Sequence, residues 1–444
     1  MPNALIVLAA GRGTRMQSDM PKVLHEVAGA PLLVHALGSA ADLEAEKVVV
    51  VTGHGAEAVE ALDLGDHVEF VRQEEQLGTG HAVQQARAAL EAHDGPVFVL
   101  YGDTPFIEAS TLSEMADALS GASLAVLGFE AADPGRYGRL VTEGDRLEKI
   151  VEWKDASEDE RAITLCNSGV LAGDSGLVFD LLDEVTNDNA AGEYYLTDLP
   201  AIAAGRGLIT RVVRCDEAET LGVNSRADLA AASAAFQARA RAQALEDGVT
   251  MDAPDTVYFS YDTILGRDCL VEPNVVFGPD VTVETGARIR AFSHLEGCHV
   301  SRGAIVGPYA RLRPGAELAE DVRVGNFVEI KNAEVAEGAK VNHLSYIGDA
   351  SVGAGSNIGA GTITCNYDGV MKHRTEIGKN TFIGSNTMLV APVSVGDEAM
   401  TASGSVITSN VPEGDLALAR ARQENKSGLA RRLMARLREI KRSR

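Results

Sequence analysis

VSRGAIVGPYARLRPGAELAEDVRVGNFVEI, residues 300–330, places an aliphatic residue at every sixth position: Val300, Val306, Leu312, Leu318, Val324 and Ile330. A half-buried strand alternates from one residue to the next and a helix returns to the same face about every 3.6 positions, so neither explains this spacing. A period of six is the signature of a parallel β-helix, in which each repeat forms one flat side of a triangular coil. After a slip of one residue the pattern continues through Val341 and Ile347, and it resumes at Ile377, Ile383, Leu389 and Val395. Glycine often follows the aliphatic residue, as in Ile347-Gly348, Ile358-Gly359, Ile383-Gly384 and Val395-Gly396. The aliphatic side chains are expected to stack inside the coil, with small residues at its corners.

Upstream, Arg226 to Leu245 is alanine-rich and free of Gly and Pro, with Leu229, Phe236 and Leu245 among its alanines. It reads as a linking helix. Before it, short apolar runs (Leu5–Leu8, Val48–Val51, Val97–Leu100, Leu124–Leu127) alternate with longer helix-like stretches, the pattern of an α/β domain. At 444 residues the chain exceeds the roughly 250–300 residues that one core serves. The predicted organisation is an α/β domain over residues 1–225, a linker helix over 226–247 and a β-helix domain over 248–444 with a basic tail.

The composition, 45% hydrophobic and 23% charged, is that of a globular protein, and apolar runs such as Ala4 to Ala10 are too short for a membrane span. Leu5–Leu8 has no basic flank and reads as a strand, not a signal peptide. A cytoplasmic protein with no membrane partner is expected. The net charge of −24 disfavours nucleic acid, although Arg431 to Arg444 is locally basic, either a solvated helical tail or a reach towards an anionic ligand or a neighbouring subunit. Cys166, Cys215, Cys269, Cys298 and Cys365 form no C-x-x-C pair, which argues against a disulfide framework and a zinc site.

Strand Leu5–Leu8 runs into Ala9-Ala10-Gly11-Arg12-Gly13-Thr14-Arg15-Met16. This is neither a Walker A motif nor a dinucleotide loop, since Met16 stands where the latter needs its last glycine. It still offers small residues that let backbone N–H groups approach phosphates, with Arg15 and Lys22 as cations. Gln76-Leu77-Gly78-Thr79-Gly80 and Tyr101-Gly102-Asp103 accompany it. Asp103, after the strand Val97–Leu100, sits where open α/β sheets bind ligands and is an oxygen donor suited to Mg²⁺. A lone Asp there would read as a helix cap; the glycine loop and the two cations favour the metal.

These motifs, with Pro21-Lys22, resemble the signature of sugar-1-phosphate nucleotidyltransferases, and Gln76-Leu77-Gly78-Thr79-Gly80-His81-Ala82 narrows the resemblance to uridyltransferases acting on N-acetylglucosamine 1-phosphate. The resemblance implies a Rossmann-like nucleotidyltransferase domain in which Leu8, Ala9, Ala10, Gly11, Gln73, Gly78, Thr79, Tyr101 and Gly102 surround UTP. It implies Arg15 and Lys22 on the phosphates, and Asp103 with Asn224 on Mg²⁺. The sugar phosphate would meet Gly138, Glu152, Asn167, Tyr195 and Thr197. Many members carry Lys at position 12, where this chain has Arg12.

In the repeats, Cys365 to Arg374 intrudes between Ile358 and Ile377, and a loop ejected from a regular coil is a candidate functional loop. Arg313, Glu329, Lys331, His343 and Ser385 are polar residues at or near turns of a coil that needs only aliphatic and small ones. A lone His is more often structural, yet His343, Tyr346, Asn357 and the Asn366-Tyr367 loop lie about one coil apart and can share a side. An imidazole could take a proton from an attacking amine.

Asn342-His343-Leu344-Ser345-Tyr346-Ile347-Gly348-Asp349 and the run Ile358 to Gly369 resemble the acetyltransferase half of the bifunctional bacterial enzymes that make UDP-N-acetylglucosamine, and the likeness covers nearly the whole chain. It implies a left-handed parallel β-helix of hexapeptide repeats. His343 would be the general base on glucosamine 1-phosphate, with Glu329 orienting the network and Arg313 and Lys331 on the phosphate. Tyr346 and Asn357 would complete the sugar site, and Ala360, Asn366, Tyr367, Ser385, Ser403 and Arg420 would contact acetyl-CoA. Position 403 is usually Ala in the family. The resemblance further implies a homotrimer with acetyl-transfer sites built by more than one subunit. The competing reading is a single-activity nucleotidyltransferase whose β-helix is only a scaffold.

Overall fold

The computed structural model describes residues 2–444. By its internal contacts the chain divides into two units, Met1–Ala240 and Arg241–Arg444. The division falls inside one helix, Arg226–Glu246, the alanine-rich stretch of the sequence.

The first unit is built on a nine-stranded sheet. In chain order its strands are β1 (Ala4–Leu8), β2 (Lys47–Thr52), β3 (Val68–Arg72), β4 (Pro96–Tyr101), β5 (Leu124–Glu130), β6 (Arg139–Glu143), β7 (Arg146–Val151), β8 (Leu165–Asp174) and β9 (Thr210–Cys215). Their order across the sheet is β3-β2-β1-β4-β8-β5-β9-β7-β6. β1 pairs in parallel with β2 and β4, and its five residues are all buried, as a strand covered on both faces requires. Ala4, Ile6 and Leu8 join the core on one face, while Leu5, Val7 and Ala9 join the other. The simple βα alternation expected from the sequence is broken by β8, which runs antiparallel to both neighbours, and by the edge hairpin β6–β7. Registers Leu8↔Val51 and Leu8↔Tyr101 set the carboxyl ends of β1, β2 and β4 side by side.

The second unit is a coil of short parallel strands. Val306 pairs with Val324, and Val324 with Val341, so one coil takes three hexapeptides, less one residue where the period slips. Val300, Val306, Leu312, Leu318, Val324 and Ile330 are all at most 1% exposed, one for each successive face. One face is a ten-stranded sheet, and the other two merge into a fourteen-stranded one. They merge because strands Glu329–Val335 and Tyr346–Val352 turn a corner and pair on both sides of it. Val341 pairs with Ile358, a step of ordinary length, whereas Ile358 pairs with Ile383, a much longer step along the chain. The surplus is the ejected loop.

The corners differ from expectation. Phe292, Tyr309 and Phe327 hold left-handed backbone at φ 62°, 55° and 55°, a conformation that costs a bulky residue roughly 1–3 kcal/mol. Their side chains point out of the coil, half-exposed, and stack on one another, with ring centroids 4.9 and 5.3 Å apart. Stacking offsets part of the backbone cost. Glycine is needed where a side chain would instead meet the next coil: a Cβ on Gly325 would collide with the carbonyl oxygen of Asn342.

The terminal helix Leu429–Arg442 buries none of its residues. No helix among the described residues is long and apolar enough to cross a membrane.

Two candidate active sites

The turn after β1 is fixed by the sheet below it: Ala9 N–H donates to the carbonyl of Val51 at 2.8 Å, and Gly102 N–H donates to that of Leu8 at 3.0 Å. Above lies a cavity of about 310 Å³ lined by Leu8, Ala9, Ala10, Gly11, Lys22, Gln73, Gly78, Thr79, Tyr101 and Asp103, all predicted from the sequence. Gln76 and Glu193 also line it, although the sequence reading gave them no role. Gln73 Nε2 donates to the carbonyl of Gly78 at 3.1 Å. Arg12 Nε holds Gln76 Oε1 at 3.0 Å.

At the edge of this cavity Lys22 Nζ pairs with the Asp103 carboxylate and donates to Asn224 Oδ1 at 3.2 Å. Arg15 reaches the same Asn224 oxygen at 2.9 Å. Val223 N–H donates to the carbonyl of Asp103 at 2.9 Å, which carries Asn224 to the site from far along the chain. Two side-chain oxygens thus converge on a cation, here an ammonium. Hard oxygen donors few in number suit Mg²⁺, which keeps several waters and binds substrate phosphates. Among the described residues there is no group of three or more His, Cys, Asp or Glu fit for a metal.

A second cavity, of about 210 Å³, is lined by Glu152, Asp155, Asp188, Tyr195 and Asp198 among others. Gly138 and Asn167 adjoin Glu152: a Cβ on Gly138 would lie 3.5 Å from the Asn167 Cβ and 3.6 Å from Glu152 Oε1. Thr197 donates to Glu152 at 3.1 Å. Burial pushes the Glu152 carboxyl up despite that hydroxyl, and nearby Asp155 and Glu193 push the same way. Burial likewise raises Asp198 and the Tyr195 phenol.

On the β-helix, Arg313 Nη1 donates to Glu329 at 2.8 Å, while its Nε is buried with no partner. Within one chain Glu329 is thus a partner of Arg313, and among the described residues no hydrogen bond joins it to His343. Lys331 stands beside Lys372, a residue of the ejected loop, and that neighbouring ammonium holds the Lys331 amine below its usual range. The sequence reading missed Lys372 because only the loop's fold brings it there. Burial works to raise Asp349, but amide donors from Asn332 (2.6 Å) and Asn366 outweigh it and hold the carboxyl low. Asn366 also lies 3.5 Å from the Tyr346 hydroxyl. The loop closes on Asp368, which accepts from the N–H groups of Val370 and Met371 and from His373, at 2.7–2.8 Å. Tyr367 is left 61% exposed.

His343 is exposed at a corner, with Nδ1 2.8 Å from Asn326 Oδ1. From it a backbone ladder climbs the coil. Gly361 N–H donates to His343 O at 3.2 Å, Asn386 to Ala360 O at 2.7 Å and Gly404 to Ser385 O at 2.8 Å. Ala360, Ser385 and Ser403 thus follow His343 on successive coils, and Arg420 Cδ lies 4.0 Å from the Cβ position of Gly404. Asn357 sits on the face that carries the strand Lys340–His343, paired with Lys340 and Phe382. Among the described residues no hydrogen bond or ion pair joins His343 to Arg313, Lys331 or Tyr346 in one chain.

A Rossmann-like sheet with a phosphate-sized cleft at its carboxyl edge, on a chain that continues as a hexapeptide coil, places this protein in the class of nucleotidyltransferases joined to a β-helix transferase. Residues 5–170 match the family described as MobA-like NTP transferase domain, and residues 374–409 match Bacterial transferase hexapeptide (six repeats). A protein of Ruegeria sp. (strain TM1040) is 67% identical over 99% of each chain. One of Jannaschia sp. (strain CCS1) is 62% identical over 99% of this chain and 97% of its own. Both bear the name Bifunctional protein GlmU. With identity this high over nearly the full length of both partners, the chain belongs to the GlmU family. It is a bifunctional enzyme of uridylyl and acetyl transfer, which sets aside the single-activity reading.

Proposed function

We propose that the coil acetylates glucosamine 1-phosphate with acetyl-CoA and that the α/β domain then couples the N-acetylglucosamine 1-phosphate to UTP. The observation that carries this reading is the gathering of Arg15, Lys22, Asp103 and Asn224 at the sheet's carboxyl edge. In that cleft an oxygen of the sugar's phosphate attacks the α-phosphorus of UTP. The new P–O bond forms as the α–β bridge breaks and pyrophosphate leaves. Lys22 and Arg15 lower the repulsion between the two anions, and the loop N–H groups orient the triphosphate. Asp103 and Asn224 would hold Mg²⁺, which supplies further neutralisation of phosphate charge.

On the coil, His343 accepts the proton of the 2-amino group as its nitrogen attacks the thioester carbonyl. The C–N bond forms, the C–S bond breaks and the CoA thiol departs. The partnerless Nε of Arg313, with Lys331 and Lys372, supports a phosphate there. An N–H near Ser385 faces the oxyanion. The ladder from Ala360 to Arg420, with Asn366 and Tyr367, takes acetyl-CoA.

Hexapeptide repeats favour oligomers, and we assign a homotrimer in which His343 of one subunit works with Arg313 and Lys331 of another. Two features support it: their lack of contact within one chain and the exposed Phe292–Tyr309–Phe327 corner, an apolar patch of the kind that marks interfaces. A cytoplasmic location fits substrates of this type.

The test is a split assay: thiol release with glucosamine 1-phosphate, and pyrophosphate release from UTP with N-acetylglucosamine 1-phosphate. His343→Ala should abolish only the first and Asp103→Ala only the second. A variant that silences both would overturn the assignment of two separate sites.

A further inference from the structure

Asn326 and His343 occupy matching positions on neighbouring coils, paired in register across the parallel strands Arg323–Asn326 and Lys340–His343. The backbone binds them twice over: Leu344 N–H donates to Asn326 O at 3.0 Å, and Gly325 permits a coil approach that any side chain would block. Asn326 Oδ1 lies 2.8 Å from His343 Nδ1, and the ring has no ion pair among the described residues. The neighbouring Ser345 hydroxyl turns to the His343 carbonyl, 2.8 Å away, and not to the ring.

We propose that Asn326 is a positioning residue for acetyl transfer, one that fixes the proton of His343 on Nδ1 and leaves Nε2 as the free base. This rests on the reading of His343 as the general base. An amide oxygen only accepts, so the nitrogen facing it must carry the hydrogen. The lone pair is then on Nε2, the nitrogen directed away from the coil partner. The amide differs from the carboxylate that usually orients a histidine because it is neutral. It sets the tautomer through a single accepted hydrogen bond. The sequence conceals this pairing because the two residues stand a full coil apart along the chain.

The experiment uses the full-length enzyme and four variants: Asn326→Ala, Asn326→Asp, Asn326→Ser and His343→Ala. Acetyl transfer is followed from pH 5.5 to 9, and uridylyl transfer serves as a control of folding. Asn326→Ala should lower kcat for acetyl transfer about 10–100-fold, part of what a general base supplies, with KM for glucosamine 1-phosphate changed less than about twofold. Asn326→Asp should recover most of the rate at high pH while moving the acidic limb of the profile up by about one pH unit. Asn326→Ser should fall between. In nitrogen-15 spectra of labelled enzyme, the His343 proton should sit on Nδ1 in the wild type and lose that preference in Asn326→Ala. An Asn326→Asp profile that overlays the wild type, or equal loss of kcat and gain of KM in Asn326→Ala, would overturn the positioning role. Retention of acetyl transfer by His343→Ala would instead overturn the base itself, so the two failures are distinct.

Discussion

Lys22 and Asp103 come from turns far apart in the chain and meet as an ion pair at the carboxyl edge of the sheet, their side chains 14% and 16% exposed. The pair gives the ammonium a fixed place at the cleft, where the proposed reading puts the phosphates. Lys22→Ala should lower kcat/KM for uridylyl transfer about 10²–10³-fold, the usual loss of one preorganised electrostatic contact. Acetyl transfer should stay unchanged in the same preparation. Lys22→Arg should recover little, since a planar guanidinium does not replace a compact ammonium. Steady-state pyrophosphate release decides the matter, and a wild-type rate in Lys22→Ala would remove Lys22 from the site.

Glu152 is strained electrostatically in the folded state. Its carboxyl is held above the ordinary value, mainly by burial, so the folded form binds a proton more readily than the unfolded chain. Ionised Glu152 therefore costs stability at neutral pH, and that cost disappears as pH falls through the raised folded value, towards the usual value of about 4.3. Glu152→Gln should raise the unfolding free energy of the α/β unit at pH 7, with the gain shrinking by pH 4. KM for N-acetylglucosamine 1-phosphate should rise about tenfold, the loss of a charged hydrogen bond. Urea titrations at the two pH values, with initial-rate kinetics, measure both; a destabilised variant at pH 7 would refute the electrostatic cost.

Gly325→Ala would drive a methyl group onto the Asn342 carbonyl, where the next coil leaves no room for it. Overpacking of this kind costs about 1–3 kcal/mol. The coil should melt earlier and acetyl transfer should drop, because Asn326 and His343 lie at that junction. Uridylyl transfer should persist. Calorimetry with the split assay provides the readout, and an unshifted transition of the coil would show that the coils there can part without cost.

The legible part of this protein was periodic or contiguous. Val300 to Ile330 announced the coil because each aliphatic residue answers to one face, and Ala9 to Lys22 announced a cleft because its lining residues lie close along the chain. What escaped depends on pairings that local sequence does not encode. β8 looks like its neighbours but runs against them. Glu329, expected to orient the histidine network, also holds Arg313, a partner that sits a coil away along the chain. Asn326 and Lys372 reach the coil site only through the stacking of turns and the path of the ejected loop. The corners misled for the opposite reason: small residues were expected, yet an outward-pointing ring at a left-handed turn can stack on the ring of the next coil.

The ladder that climbs from His343 through Ala360 and Ser385 to Ser403 rises one strand spacing per coil, about 4.8 Å. Its length is therefore quantised. In the proposed assignment the acetyl-transfer site is a ruler graduated in coils, on which the reacting centre and the far grip of the donor differ by three marks, roughly 14 Å. Such a ruler is lengthened or shortened by whole coils, about three hexapeptides at a time, and a large insertion within a coil is expelled sideways as a loop, as residues 365–374 are. Donor length is thus written into the count of repeats, while the chemistry at the zero mark is left free to vary.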